Sequence, residues 1–144
     1  MLNDPDELLK PFCVGAHYTV KWYCHGRAGD PKKFFDSLDK DPRAILHARI
    51  SDHAKNGSLA PGRGHEEGWV HEEMPAELVL YKYKGATTIR MYAVIDRSFS
   101  KPMVILVFGY KDLKKQKNVR QKESAESRAK SYLTYRDLHN ARKP

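Results

Sequence analysis

The spacing of apolar positions changes period twice along this chain, and each change predicts a change of element. In HYTVKWYC, residues 17–24, Tyr18, Val20 and Trp22 alternate with Thr19 and Lys21, the period of two by which a strand serves two faces. GRAGDPKKFFDSLDK, residues 26–40, then supplies a turn, Asp30 as a cap, Pro31 at a first helical position, and Phe34, Phe35 and Leu38 at helical spacing. DPRAILHARISDHAKNG, residues 41–57, repeats the device with Asp41 as cap and Pro42 following it. Ile45, Leu46, Ile50 and Ala54 form its apolar stripe, and Gly57 is its stop. Two helices with almost no linker predict an antiparallel helical hairpin.

Residues 57–76 hold four Gly and two Pro without a sustained period and read as a long connection, a rim for a site. The period of two then returns. ELVLYKYK (77–84) sets Leu78, Leu80, Lys82 and Lys84 against Val79, Tyr81 and Tyr83, and TTIRMYAVID (87–96) sets Ile89, Met91, Ala93 and Ile95 against Arg90, Tyr92 and Val94. MVILVFGYK (103–111) is apolar on both faces, as a central strand is. Short connections imply an antiparallel meander. The segment from Val119 to His139 places Ala125, Ala129, Tyr132, Leu133 and Leu138 near helical spacing, an amphipathic last helix. The pattern predicts an α+β domain: a small antiparallel sheet with the helical hairpin packed on one face, and a C-terminal helix. Residues 17–139 are its expected span, with an N-terminal extension over 1–16 and a tail over 140–144.

A chain of 144 residues, 40% hydrophobic and 31% charged, suits one soluble domain. It has neither an apolar stretch of transmembrane length nor a secretory signal pattern at its acidic N-terminus, so the expected location is cytoplasmic. Cys13 and Cys24 are too few for a disulfide framework and read as packing thiols. Charge adds more. Residues 1–72 carry 10 Lys/Arg against 11 Asp/Glu and residues 73–144 carry 16 against 7, so the overall +8 divides as −1 and +9. That asymmetry fits a polyanionic partner or a solubilising face.

Seven histidines raise the question of a metal, but His65 and His71, and His47 and His53, have no ligand spacing and no Cys pair beside them. No nucleophile elbow or phosphate-cradling loop is present. No metal or cofactor is therefore expected. What remains is a set of cations on neighbouring strands. If Lys82, Lys84, Arg90 and Lys111 converge on one edge or face of the sheet, Arg90 can hold a phosphate in a two-pronged grip that Lys cannot reproduce. RNA cleavage needs little more than such cations, a base for the 2′-OH and a donor for the leaving oxygen.

The run from Ile89 through Tyr132 also resembles the RelE/HigB toxin superfamily, in particular its phage-associated HigB-like branch. The resemblance rests on a strand arginine (Arg90), an apolar strand VILVFGYK, a basic turn KKQK (114–117) that leads into the last helix, and AESR (125–128). It implies a small antiparallel sheet carrying a helical hairpin. It further implies a metal-independent endoribonuclease that cuts mRNA, often on the ribosome, and a cognate antitoxin protein as partner. Matched position by position, Arg90 corresponds to the arginine that contacts the scissile phosphate and Lys82 and Lys84 to strand lysines, while Lys111 follows the last strand. Lys114, Lys115, Lys117, Arg120 and Lys122 are expected to hold RNA or meet the antitoxin. The catalytic tyrosine of some members has no matching position, and Lys111, Lys117, His65 and His71 stay open as acid or base. ParE-type relatives inhibit DNA gyrase without cutting RNA, and a phage accessory protein that binds nucleic acid is a third class, because fold alone does not fix function.

Overall fold

A central strand needs a neighbour on each side, and the apolar β6 has one of each kind. In the computed structural model, which describes residues 9–25, 30–59, 64–71, 74–112 and 115–141, β6 (Met103–Lys111) pairs antiparallel with β5 (Ile89–Asp96) and parallel with β2 (Thr19–Tyr23). For residues 64–71, 74–76, 115–119 and 140–141 the description extends to the backbone alone. β5 pairs in turn with β4 (Met74–Tyr83), β4 with β3 (Gly64–His71), and β2 with β1 (Leu9–Val14). The six strands stand in the order β1-β2-β6-β5-β4-β3. The expected meander is present as β4-β5-β6, but the sheet is mixed rather than purely antiparallel, through the β2·β6 pair.

Three expectations about extent are corrected. The supposed extension contributes β1 at residues 9–14, and the supposed loop contributes β3 at 64–71. Neither strand alternates cleanly: β1 contains Pro11 beside a register shift, and β3 contains glycines and two shifts, so only the neighbouring strand fixes them. The last helix, α3 (Lys115–Ala141), starts before Val119 and ends past residue 139, which makes Lys115, Lys117, Arg120 and Lys122 helical rather than part of a basic turn.

The helices lie on both faces of the sheet, α3 on one and the two preceding helices on the other. Alternation puts Leu78, Leu80, Tyr92, Val94, Ile105 and Val107 on the side that packs against Ala125, Ala129, Tyr132 and Leu133 of α3. Val20, Trp22, Val79, Tyr81, Met91 and Leu106 face the other way, against α1 (Pro31–Asp36) and α2 (Lys40–Asn56). Each large side chain buried this way contributes about 1.5–3 kcal/mol. Asp30 caps α1 as expected, accepting from the Lys32 and Lys33 amides at 2.9 and 3.2 Å, and Gly57 ends α2 at φ 78°, where a left-handed residue is needed. Helix α2 begins at Lys40, one residue before Asp41, so Asp39 and not Asp41 holds the cap position. Its buried stripe is Leu46, Ile50, His53 and Ala54, whereas Ile45 and, on α3, Leu138 are exposed.

Helix α3 is fastened by two arginines eight residues apart, hence on one side of the helix. Arg128 donates to the main-chain oxygens of Val107, Tyr23 and His25 and lies over the Tyr23 ring. Arg136 reaches the buried Asp96 at 3.0 Å, and Tyr132 donates to the same carboxylate at 2.6 Å. Burial alone pushes the Asp96 carboxyl up; the bonds from Tyr132 and Ser98 and the Arg136 charge outweigh it and hold the group ionised, below the usual range.

His53 is buried on the opposite face, its Nδ1 2.6 Å from the Tyr81 hydroxyl and its Nε2 without a partner among the described residues. Burial, then the charges of Arg97 and His17, lower its pKa to about 4. The unfolded chain binds this proton near pH 6.5 and the fold does not, so stability is complete above that pH and falls as pH drops toward 4. The loss is roughly 3 kcal/mol. Urea unfolding at pH 7.5 and pH 4.5 is expected to reveal this slope, and His53→Gln, which cannot take up the proton, is expected to flatten it. An equal slope in both proteins would assign the acid sensitivity elsewhere.

Candidate functional site

Antiparallel register brings Lys82 and Arg90 directly opposite each other on the α3 face, at the end of β4 and the start of β5. Tyr110 is opposite Arg90 on the other side. The Arg90 guanidinium donates to the Asp112 carboxylate just past β6, and the Asp112 amide donates to the Thr88 carbonyl at 2.8 Å. The side chains of Arg90 and Asp112 are 15% and 25% exposed, so water screens the pair weakly. Behind it, Tyr92 and Tyr110 stack with rings 6.4 Å apart, and Phe108 lies 6.1 Å from Tyr110. The Tyr110 hydroxyl is buried beside the Arg90 guanidinium and the Tyr92 side chain. Burial pushes its pKa up, and the Arg90 charge pulls back.

Lys111 does not join this group. Two residues of β6 oppose the step from Tyr92 to Ala93, because Tyr92 pairs with Phe108 and Ala93 with Leu106. Val107 is the extra residue, and it reverses the alternation beyond it. Counting by twos from Ile105 sends Lys111 to the α3 face; the bulge sends it to the α2 face, where it borders the hollow beside Leu38 and Ile89. The same reversal brings Tyr110 next to Arg90. The expected convergence of four cations is thus reduced to Arg90 and Lys82, with Lys84 exposed just beyond β4 and Lys111 behind the sheet.

Of the expected RNA-holding residues, Arg120 is exposed on α3 and Lys122 half-buried there. Lys115 and Lys117 are described by backbone only, and Lys114 lies outside the described residues. His65 and His71 fall in β3, also backbone only, so their candidacy as acid or base lies outside the described side chains. His47 is exposed and His53 buried in the core, which separates them as their spacing implied. Among the described residues no three His, Cys, Asp or Glu side chains gather to hold a metal ion. Asp112 and Tyr110 escaped the sequence reading. The first follows the strand without any pattern of its own, and the second depends on the bulge.

No family model, no curated protein and no solved structure matches the chain. No described helix is long and apolar enough to cross a membrane.

Asp112 occupies the guanidinium that a phosphate would bind. Asp112→Ala is expected to raise affinity for single-stranded RNA at low salt and to steepen log affinity against log salt by about 0.7, the value of one additional phosphate contact. An unchanged slope would mean that Arg90 does not reach the RNA backbone.

Proposed function

We propose that the protein is the toxin of a toxin–antitoxin pair, related to the RelE/HigB superfamily, and that it cuts mRNA as an endoribonuclease, with the ribosome as a natural setting. The element order from β2 to α3 is strand, two helices, four strands and a helix, and its strand, two helices and β4-β5-β6 meander ahead of the last helix support the reading. The observation that carries it is Arg90 beside Lys82 at the end of a rigid sheet, the guanidinium already oriented by Asp112. In the reaction proposed, a ribose 2′-oxygen bonds to the adjacent phosphorus as the bond to the 5′-oxygen breaks, leaving a 2′,3′-cyclic phosphate and a 5′-hydroxyl. Arg90 and Lys82 offset the charge that grows on the phosphorane, which a preorganised cation does without reorganising. Asp112 is the nearest described carboxylate able to accept the 2′-OH proton. No metal takes part. Arg120, exposed on α3 within a basic stretch of the sequence, suits an acidic segment of an antitoxin, and the proposed setting is the cytoplasm.

Two observations favour a non-catalytic binder of the gyrase-inhibiting kind: Arg90 is already engaged by a carboxylate, and Lys111 stands on the opposite face. RNA and translating ribosomes incubated with the wild type and with Arg90→Ala separate the two. The expected result is cleavage lowered by about 10²–10³ in the variant, with Arg90→Lys failing to restore it. Equal cleavage by wild type and Arg90→Ala would refute the site. Absence of cleavage together with inhibited DNA supercoiling would favour the binder.

A further inference from the structure

The α2 face of the same strand end contains a hollow that the proposed cleavage does not use. Its volume is about 160 Å³, between the start of α2, the β4–β5 turn and the end of β6. Leu38, Pro42 and Ile89 give it an apolar lining and Tyr83 an aromatic one. Asp39, Thr87 and Lys111 also line it, residues whose side chains carry a carboxylate, a hydroxyl and an ammonium.

Asp39 is the informative member. It occupies the cap position of α2, where an aspartate ordinarily accepts from the amide two or three residues on, yet its side chain makes no capping bond. The third helical residue is Pro42, which has no N–H to give. Lys111 is exposed, and neither it nor Asp39 has an ion-pair partner among the described residues. Two uncommitted opposite charges thus flank an apolar, aromatic-sided hollow. Its volume is below the roughly 300 Å³ at which drug-sized pockets begin, so it suits a single ring system.

A ligand matching those groups has a flat body, two adjacent donors for a carboxylate, and an acceptor or anionic group for the ammonium. Among the RNA bases guanine meets the demand: N1–H and the N2 amino group lie side by side and can meet both carboxylate oxygens. Adenine, cytosine and uracil each put an acceptor beside their donor on that edge, and a carboxylate repels it. Proteins read splayed-out RNA bases by stacking on aromatic rings and bonding such edges. We propose that this hollow takes one unstacked guanine of the RNA substrate, with Asp39 reading its edge, Tyr83 against its face and Lys111 on its phosphate. The pocket thereby sets a sequence preference. The RNA reading above supplies the class of ligand on which this rests.

Titration of the intact protein with GMP, AMP, CMP and UMP, followed by NMR or calorimetry, tests the assignment without requiring cleavage. GMP is expected to bind about ten-fold more tightly than AMP, the range of one good bidentate contact. Asp39→Asn is expected to erase that preference, and Lys111→Ala to weaken all four nucleotides alike. Because Asp39 makes no capping bond, its variant is expected to keep the wild-type circular dichroism. No detectable binding, equal binding of the four, or a GMP preference that survives Asp39→Asn would overturn the proposal. A protein that cuts RNA but shows no GMP preference refutes this pocket alone. One that prefers GMP through Asp39 and never cuts RNA refutes the cleavage alone.

Discussion

One extra residue in β6 governs the distribution of chemistry in this molecule. The sheet is covered on both faces, so each strand residue faces either α3 or the α1/α2 layer. In such a sheet a change of register by one residue exchanges the faces of everything beyond it. Val107 makes that change. It directs Tyr110 toward Arg90 and Lys111 toward Asp39, and it sets Gly109 against Met91 and the Phe34 ring of α1, where a Cβ would collide. Two polar sites therefore stand back to back at one strand end, rather than one site with four cations.

The arrangement requires α3 to be held firmly, because it covers the face that bears Arg90. Small residues make close approach possible: Ala125 and Ala129 are fully buried against the sheet. Arg128 then binds three main-chain carbonyls, one in the middle of β6 and two at and just past the end of β2, and the Asp96 carboxylate binds Arg136 and Tyr132. Much of the excess charge in the second half of the chain is thus divided by role: some arginines are structural, others lie at the surface. The +9 of residues 73–144 overstates what is offered to a polyanion.

Elements whose pattern reflects their own burial were legible in the sequence. The faces of β4 and β5, the central position of β6, the Asp30 cap and the Gly57 stop all follow from local rules. Residues whose placement depends on a neighbour were not. β1 and β3 owe their form to pairing, and Pro11 and the glycines of β3 conceal them. The parallel β2·β6 pair leaves no mark in either strand alone. A bulge has no reliable signature in VILVFGYK, so the face on which Lys111 stands and the roles of Asp112 and Tyr110 were not legible. Arg90 and Lys82 were found because seven residues separate them through one tight turn and simple alternation suffices.

If the faces are divided as described, the roles proposed for Arg90 and Lys111 toward RNA are independent. A double-mutant cycle on RNA cleavage, using Arg90→Ala, Lys111→Ala and the pair, measures this directly. The account predicts that the effects multiply, with a coupling energy within about 0.5 kcal/mol of zero. It also predicts that Arg90→Ala acts on kcat while Lys111→Ala acts on KM. A coupling of about 1 kcal/mol or more, or a joint effect no larger than that of Arg90→Ala alone, would contradict it by returning both residues to one site.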